Sequence, residues 1–160
     1  MRNEIIYTQI LIEALKKKKT AMEHIKEITS RQSELLAKEE LDTEEFDVLI
    51  DEKKVYLNTI QELDEGFTLT FTHVREELDN HKSEFRQEIS QMQELIKEIM
   101  SLSMEVEATE QRNRLAFEQS ISRARTAIKE KRVSSQSVSK YYKNAMGNSD
   151  SQSYYMDEKK

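Results

Sequence analysis

Proline, cysteine and tryptophan are absent from this chain, and only two glycines occur in its 160 residues. Turns in mixed folds draw heavily on Gly and Pro. So few of either leaves room for few turns, and the elements between them must be long. Without cysteine there can be no disulfides and no Cys-ligated metals, which fits a reducing compartment. Long apolar runs are also missing. Ile5, Ile6, Ile10, Leu11 and Ile12 are followed at once by Glu13 and Lys16 to Lys19, a stretch too short and too interrupted to span a bilayer. The expectation is a soluble cytoplasmic protein with no stable membrane insertion.

What is present is charge. Asp, Glu, Lys and Arg make up 35% of the chain, and the hydrophobic residues only 36%. That balance can supply a narrow apolar seam on long helices but not a broad globular core. The net charge is −6 and is concentrated in the middle: residues 42–80 hold 12 acids against 3 bases. An acidic middle argues against nucleic-acid binding, which needs a clustered basic face. Lys16–Lys19 is the one basic run, and four successive helical residues point all round the helix, so it reads as solvation.

The periodicity predicts an all-α fold. A first helix runs over 3–38, with Leu11, Leu15, Lys18, Met22, Ile25, Thr29, Gln32 and Leu36 at alternating steps of four and three. Leu41-Asp42-Thr43-Glu44-Glu45-Phe46 then reads as a helix start. Asp42 stands at the N-cap, Glu45 completes a capping box, and Leu41 and Phe46 form a hydrophobic staple. A second helix over 43–64 should fold back antiparallel on the first. Gly66 is expected to stop or bend it. Phe67 to Thr72 alternates like a strand, yet Phe67, Phe71, Val74 and Leu78 also form a helical stripe. No partner strand is in sight, so 67–79 is read as a short separate helix. The longest helix covers 84–131, with a seam through Phe85, Ile89, Met92, Ile96, Ile99, Ser103, Val106, Glu110, Asn113, Phe117, Ile121, Ala124 and Ile128; Leu95 and Leu102 widen it. Asn113 on that seam is either a register-fixing buried polar residue or a partner contact. The predicted fold is an elongated antiparallel helical bundle, three long helices plus one short, over residues 1–132.

Residues 133–160 change in character, with seven serines, four tyrosines and no sustained periodicity. Such a segment cannot offset its ordering entropy alone and is expected to be disordered or to fold on a partner. Val138, Tyr141, Tyr142 and Met146 are its candidate partner-binding residues, with Phe117 and Ile121 on the long helix as further candidates.

Enzymatic constellations are missing. His24, His73 and His81 lack the i, i+3 or i+4 spacing of paired metal ligands, no Glu is followed three residues later by His, and the two glycines are too far apart for a phosphate loop. Neither catalysis nor a cofactor or metal is expected. The paired glutamates read as solvated helix faces.

Taken in order, these segments resemble a known family. They are the long first helix, Leu41 to Phe46 with Leu49 and Lys53-Lys54, Leu63-Asp64-Glu65-Gly66-Phe67, Val74-Arg75-Glu76-Glu77-Leu78, Gln93-Glu94-Leu95-Ile96, Glu110-Gln111-Arg112-Asn113, and a Tyr-bearing tail ending Met156-Asp157-Glu158-Lys159-Lys160. The chain is similar to the FlgN-type flagellar export chaperones, in the form found in Gram-positive, clostridium-like bacteria. The resemblance implies a cytosolic chaperone of type III export. Such a chaperone binds hook-associated (hook–filament junction) proteins, prevents their premature assembly and delivers them to export gate components. It engages substrate mainly through its C-terminal part. The competing class is a structural coiled-coil protein acting through self-association or scaffolding. Its long-helix seam mixes Ile, Leu, Met, Phe, Ser and Asn, which is too irregular for a strong zipper, and leaves a homodimer open. Molecular mass in dilute solution separates the two.

Overall fold

A computed structural model describes residues 2–134, with side chains from Asn3 to Glu130. Three helices account for nearly all of them: α1 (Arg2–Leu36), α2 (Thr43–Asn80) and α3 (Arg86–Ser134). Among the described residues there is no strand.

The first connection is built as the local sequence dictates. The Asp42 carboxylate accepts the amide of Glu45 at 3.1 Å, and the Asp42 carbonyl accepts the amide of Phe46 at 3.0 Å. Asp42 is therefore the N-cap of α2, satisfying donors that a helix start leaves unpaired. At the other end of the loop α1 stops at Leu36, slightly before the expected Lys38. It closes with bonds from the Ala37 amide to Ser33 and from the Lys38 amide to Leu35.

The fourth, short helix does not exist as a separate element. Residues 67–79 continue α2, and Gly66 neither stops nor bends it into a break. A mid-helix glycine costs about 1 kcal/mol relative to alanine. The turns beyond it bury Val74 and Leu78 in the core, each worth about 1.5–3 kcal/mol, so the helix continues through the glycine. Thr68 and Thr72 fit the helix because their hydroxyls donate to carbonyls one turn back, at 3.0 and 2.8 Å. The Phe67 and Phe71 rings stack at the same i, i+4 spacing. A tight turn over 81–85 then leads into α3, with Glu84 and Phe85 amides both bonded to the His81 carbonyl.

Contacts divide the described chain into two compact units. The first comprises the residues up to Ser30 together with Asp51–Ala108. In it Tyr7 stacks on His73 and His24 on Tyr56, and Lys18 pairs with Asp64 at 2.7 Å. Positions on α2 fall as those on α1 rise, so the two helices are antiparallel. Lys19 reaches Glu98 at 2.6 Å and Lys26 reaches Glu105 at 2.7 Å, so α1 and α3 run in the same sense. Leu11, Ile12, Leu15, Met22 and Ile25 of α1 meet Val74 and Leu78 of α2 and Met92, Leu95 and Ile99 of α3 in one aliphatic core, which Phe85 closes.

The second unit comprises Arg31–Ile50 and the described residues from Thr109 onward. Its core includes Phe46 and Phe117, whose rings lie 5.6 Å apart. Leu35, Leu36, Leu49, Ile50 and Ile128 are also buried here. Within it the Ser33 hydroxyl donates to Asn113 Oδ1 at 2.6 Å.

The α3 seam follows the expected one at Met92, Ile99, Asn113, Phe117 and Ile128, and departs from it locally. Leu95 is buried and Leu102 half-buried, while Ile96 and Ser103 are exposed. Adjacent apolar residues on a helix offer two competing stripes, and the neighbouring helices bury the one that lies toward α1 and α2.

Candidate partner-binding surfaces

Val138, Tyr141, Tyr142 and Met146 lie outside the described residues. Phe117 is only 3% exposed, with its face against Phe46, and Ile121 is half-buried.

Asn113 resolves into an internal role. It is buried, and its side-chain oxygen takes the Ser33 hydroxyl. That is the register-fixing arrangement, because one polar pair satisfies itself only in one alignment of the two helices. Two other polar residues on the seam, Thr29 and Lys18, are likewise bonded. Thr29 donates to the Ile25 carbonyl at 2.7 Å, and Lys18 holds Asp64. The basic run is dispersed as its helical geometry requires: Lys16 faces Glu13, Lys18 faces α2, and Lys19 faces α3. The hydrogen bond to the Glu98 carboxylate holds the Lys19 ammonium above the usual lysine range, against a smaller opposing effect of burial.

Two apolar surfaces escaped the reading of periodicity. On α3, Ile96, Met100 and Met104 recur every four residues, and the two methionines are 61% and 69% exposed. Methionine is a flexible, polarizable side chain suited to adaptable contacts. The signal was visible as an i, i+4, i+8 stripe, but Ile96 had been counted with the core. The other surface is a groove of about 510 Å³ between α1 and α2 in the first unit. Ile6, Ile10 and Ala14 form one wall, and Leu63, Gly66 and Phe67 the other. Ile5, Ile6, Ile10 and Leu69 are all exposed. Read linearly, the N-terminal isoleucines are only a short apolar run. It takes the partner helix to show that they form one side of a trough.

Nothing among the described residues brings three or more His, Asp or Glu into a cluster able to hold a metal, and none of the described helices is long and apolar enough to cross a membrane. The family model described as FlgN protein matches residues 1–149 of the chain. No curated protein and no solved structure matches it.

Proposed function

We propose, from the premise that this chain belongs to the FlgN family of flagellar export chaperones, that it captures helical ends of hook-associated proteins in the cytoplasm, keeps them from assembling early and hands them to the export apparatus. The observation that carries this reading is the extent of the family match. It continues to residue 149, past the described end of α3 at Ser134, and so takes in Val138, Tyr141, Tyr142 and Met146. A segment poor in aliphatics and rich in Ser, yet retaining Tyr and Met, supports a binding role, since those side chains bury well at adaptable interfaces.

The mechanism is helix capture. Val138, Tyr142 and Met146 stand at i, i+4, i+8, so one or two turns of helix formed on contact would align them on one face. An amphipathic substrate helix laid against that face hides the apolar side it uses in assembly. Neither a nucleotide nor a metal enters this scheme.

Isothermal titration of a purified hook-associated protein into the full chain tests it. Replacing Val138, Tyr142 and Met146 together by Ser should abolish most of the binding heat while leaving the helical circular dichroism and the melting temperature unchanged. Binding as tight as that of the unaltered chain would remove the tail from the site.

A further inference from the structure

We propose that residues 138–146 fold back as a short antiparallel helix on the last turns of α3, and that a helical cargo must displace Ile128 to reach Val138, Tyr142 and Met146. The inference begins with what lies beside the end of α3 in the second unit. The Ser33–Asn113 bond sets α1 against α3, so α1 ends at Leu36 opposite about residue 116. The Phe46–Phe117 stack sets α2 against α3, so α2 starts at Thr43 opposite about residue 120. Only residues 39–41 separate the last α1 bond, at Lys38, from the Asp42 cap, so the connection cannot climb far. Yet α3 runs on to Ser134, and these pairings place no described element opposite its end.

A helix end standing alone would be exposed all round. This one is covered on one side. Ile128 is 7% exposed, Ile121 and Arg125 are half-buried, and residues 122–124, 126–127 and 129–130 are exposed. Positions 121, 125 and 128 stand at i, i+4 and i+7, which is one face of a helix. Leu41, the only half-buried residue of 37–42, can account for Ile121. Ile128 lies about eight residues beyond the level of Thr43, or about 12 Å of helix. The cover over Ile128 is therefore assigned to the chain that follows α3.

The sequence there is suited to supply it. Ser134, Ser135 and Ser137 surround Gln136, and serine favours turns and helix starts over helix interiors. With 134–137 as the turn, a length usual between antiparallel helices, Ser137 is placed to cap a new helix and Gly147 to stop it. An antiparallel return then brings Tyr142 beside Ile128 and Met146 beside Arg125, with Val138 on the same face. The family match, which ends at residue 149, takes in this segment whole. A short tether gives the segment an effective concentration of about millimolar at its site, so a small contact suffices. The competition with cargo rests on the helix-capture reading above, whereas the fold-back does not.

The chain has no cysteine, so a nitroxide on Asn144→Cys, away from the Val138, Tyr142 and Met146 face, is a unique label in the full-length protein. It should broaden the amide signals of residues 121–129 and leave those of residues 86–96, more than about 40 Å back along α3, sharp. Ile128→Ser should restore sharp signals. So should Lys143→Pro, which breaks the returning helix without touching α3. The melting temperature should hold in both, because a terminal hairpin opens ahead of the main transition. In calorimetry, Ile128→Ser should bind a purified hook-associated protein about tenfold more tightly, the gain expected if the tail is closed about nine-tenths of the time. Equal or weaker binding overturns the competition. Sharp signals in the parent overturn the fold-back. So does broadening that survives both variants, or that passes to an admixed copy carrying no nitroxide, since the tail would then lie on a second molecule. If no variant binds the hook-associated protein, the capture reading falls and the competition with it, while the nitroxide still decides the fold-back.

Discussion

The two compact units hold themselves together by different means. In the first, ten buried side chains from three helices and Phe85 of the turn form one core made almost wholly of aliphatic residues, and ion pairs run along its surface. In the second, the Phe46–Phe117 stack and the Ser33–Asn113 pair stand among a smaller set of buried aliphatic side chains, Leu35, Leu36, Leu49, Ile50 and Ile128. A distributed core loses little when one methyl is trimmed. A concentrated one depends on a few large contacts, and each buried polar group must keep its partner. The comparison teaches where the chain is brittle: at Phe46, Phe117, Ser33 and Asn113 rather than along the longer aliphatic seam.

Phe117→Ala is the most direct way to break this contrast. It should cost about 3–5 kcal/mol in denaturant-melt stability, whereas Ile99→Val in the aliphatic core should cost about 0.5–1.5 kcal/mol. Equal losses would erase the distinction. Ser33→Ala comes next. It takes a donor away from the buried oxygen of Asn113 and should cost about 1–3 kcal/mol. Pairing it with Asn113→Leu should recover much of that, since replacing both partners by apolar groups is far cheaper than orphaning one. A double-mutant cycle with no coupling would show that the two side chains act separately.

Asp42→Ala sharpens the picture at the start of α2 and should lower stability by about 1 kcal/mol, the usual worth of a lost N-cap. The smallest effect belongs to the surface of the first unit. Lys19→Met should leave the melting temperature near neutral pH within error, because exposed ion pairs contribute little. Its pH dependence has a definite sign. The folded-state pKa of Lys19 lies above its ordinary value of 10.5, so whatever the pair contributes is fully present below that value and is lost as pH rises through the folded-state value. A difference between Lys19→Met and the parent that grows toward alkaline pH would contradict this.

What the sequence made legible was local. Asp42, Glu45 and Phe46 lie within five residues, and the capped start they predict is present. The helical period was equally plain, and with it the all-helical class. The misreadings arose where a distant neighbour decides. Gly66 looked like a stop because glycine weakens a helix, but the burial of Val74 and Leu78 on its far side outweighs that cost. Ile96 stands on the expected α3 seam with Leu95 beside it, yet α1 and α2 bury Leu95 and leave Ile96 exposed. Phe117 was visible as a seam residue, yet nothing near it in sequence announced that Phe46 would cover its ring. The groove was invisible for the same reason, since its two walls come from segments with dozens of residues between them.

The parallel run of α1 and α3 has a consequence for the chain as it is made. Ser33 waits for Asn113 across 80 positions, and Phe46 waits for Phe117. At roughly 5–20 residues per second, a ribosome takes about 4–16 s to add a stretch of that length. Until α3 follows, α1 and α2 can pair only with each other, and the side of the hairpin meant for α3 stays bare. A nascent chain stalled before α3 is a helical hairpin with one uncovered apolar edge, which is the form that quality-control machinery would meet.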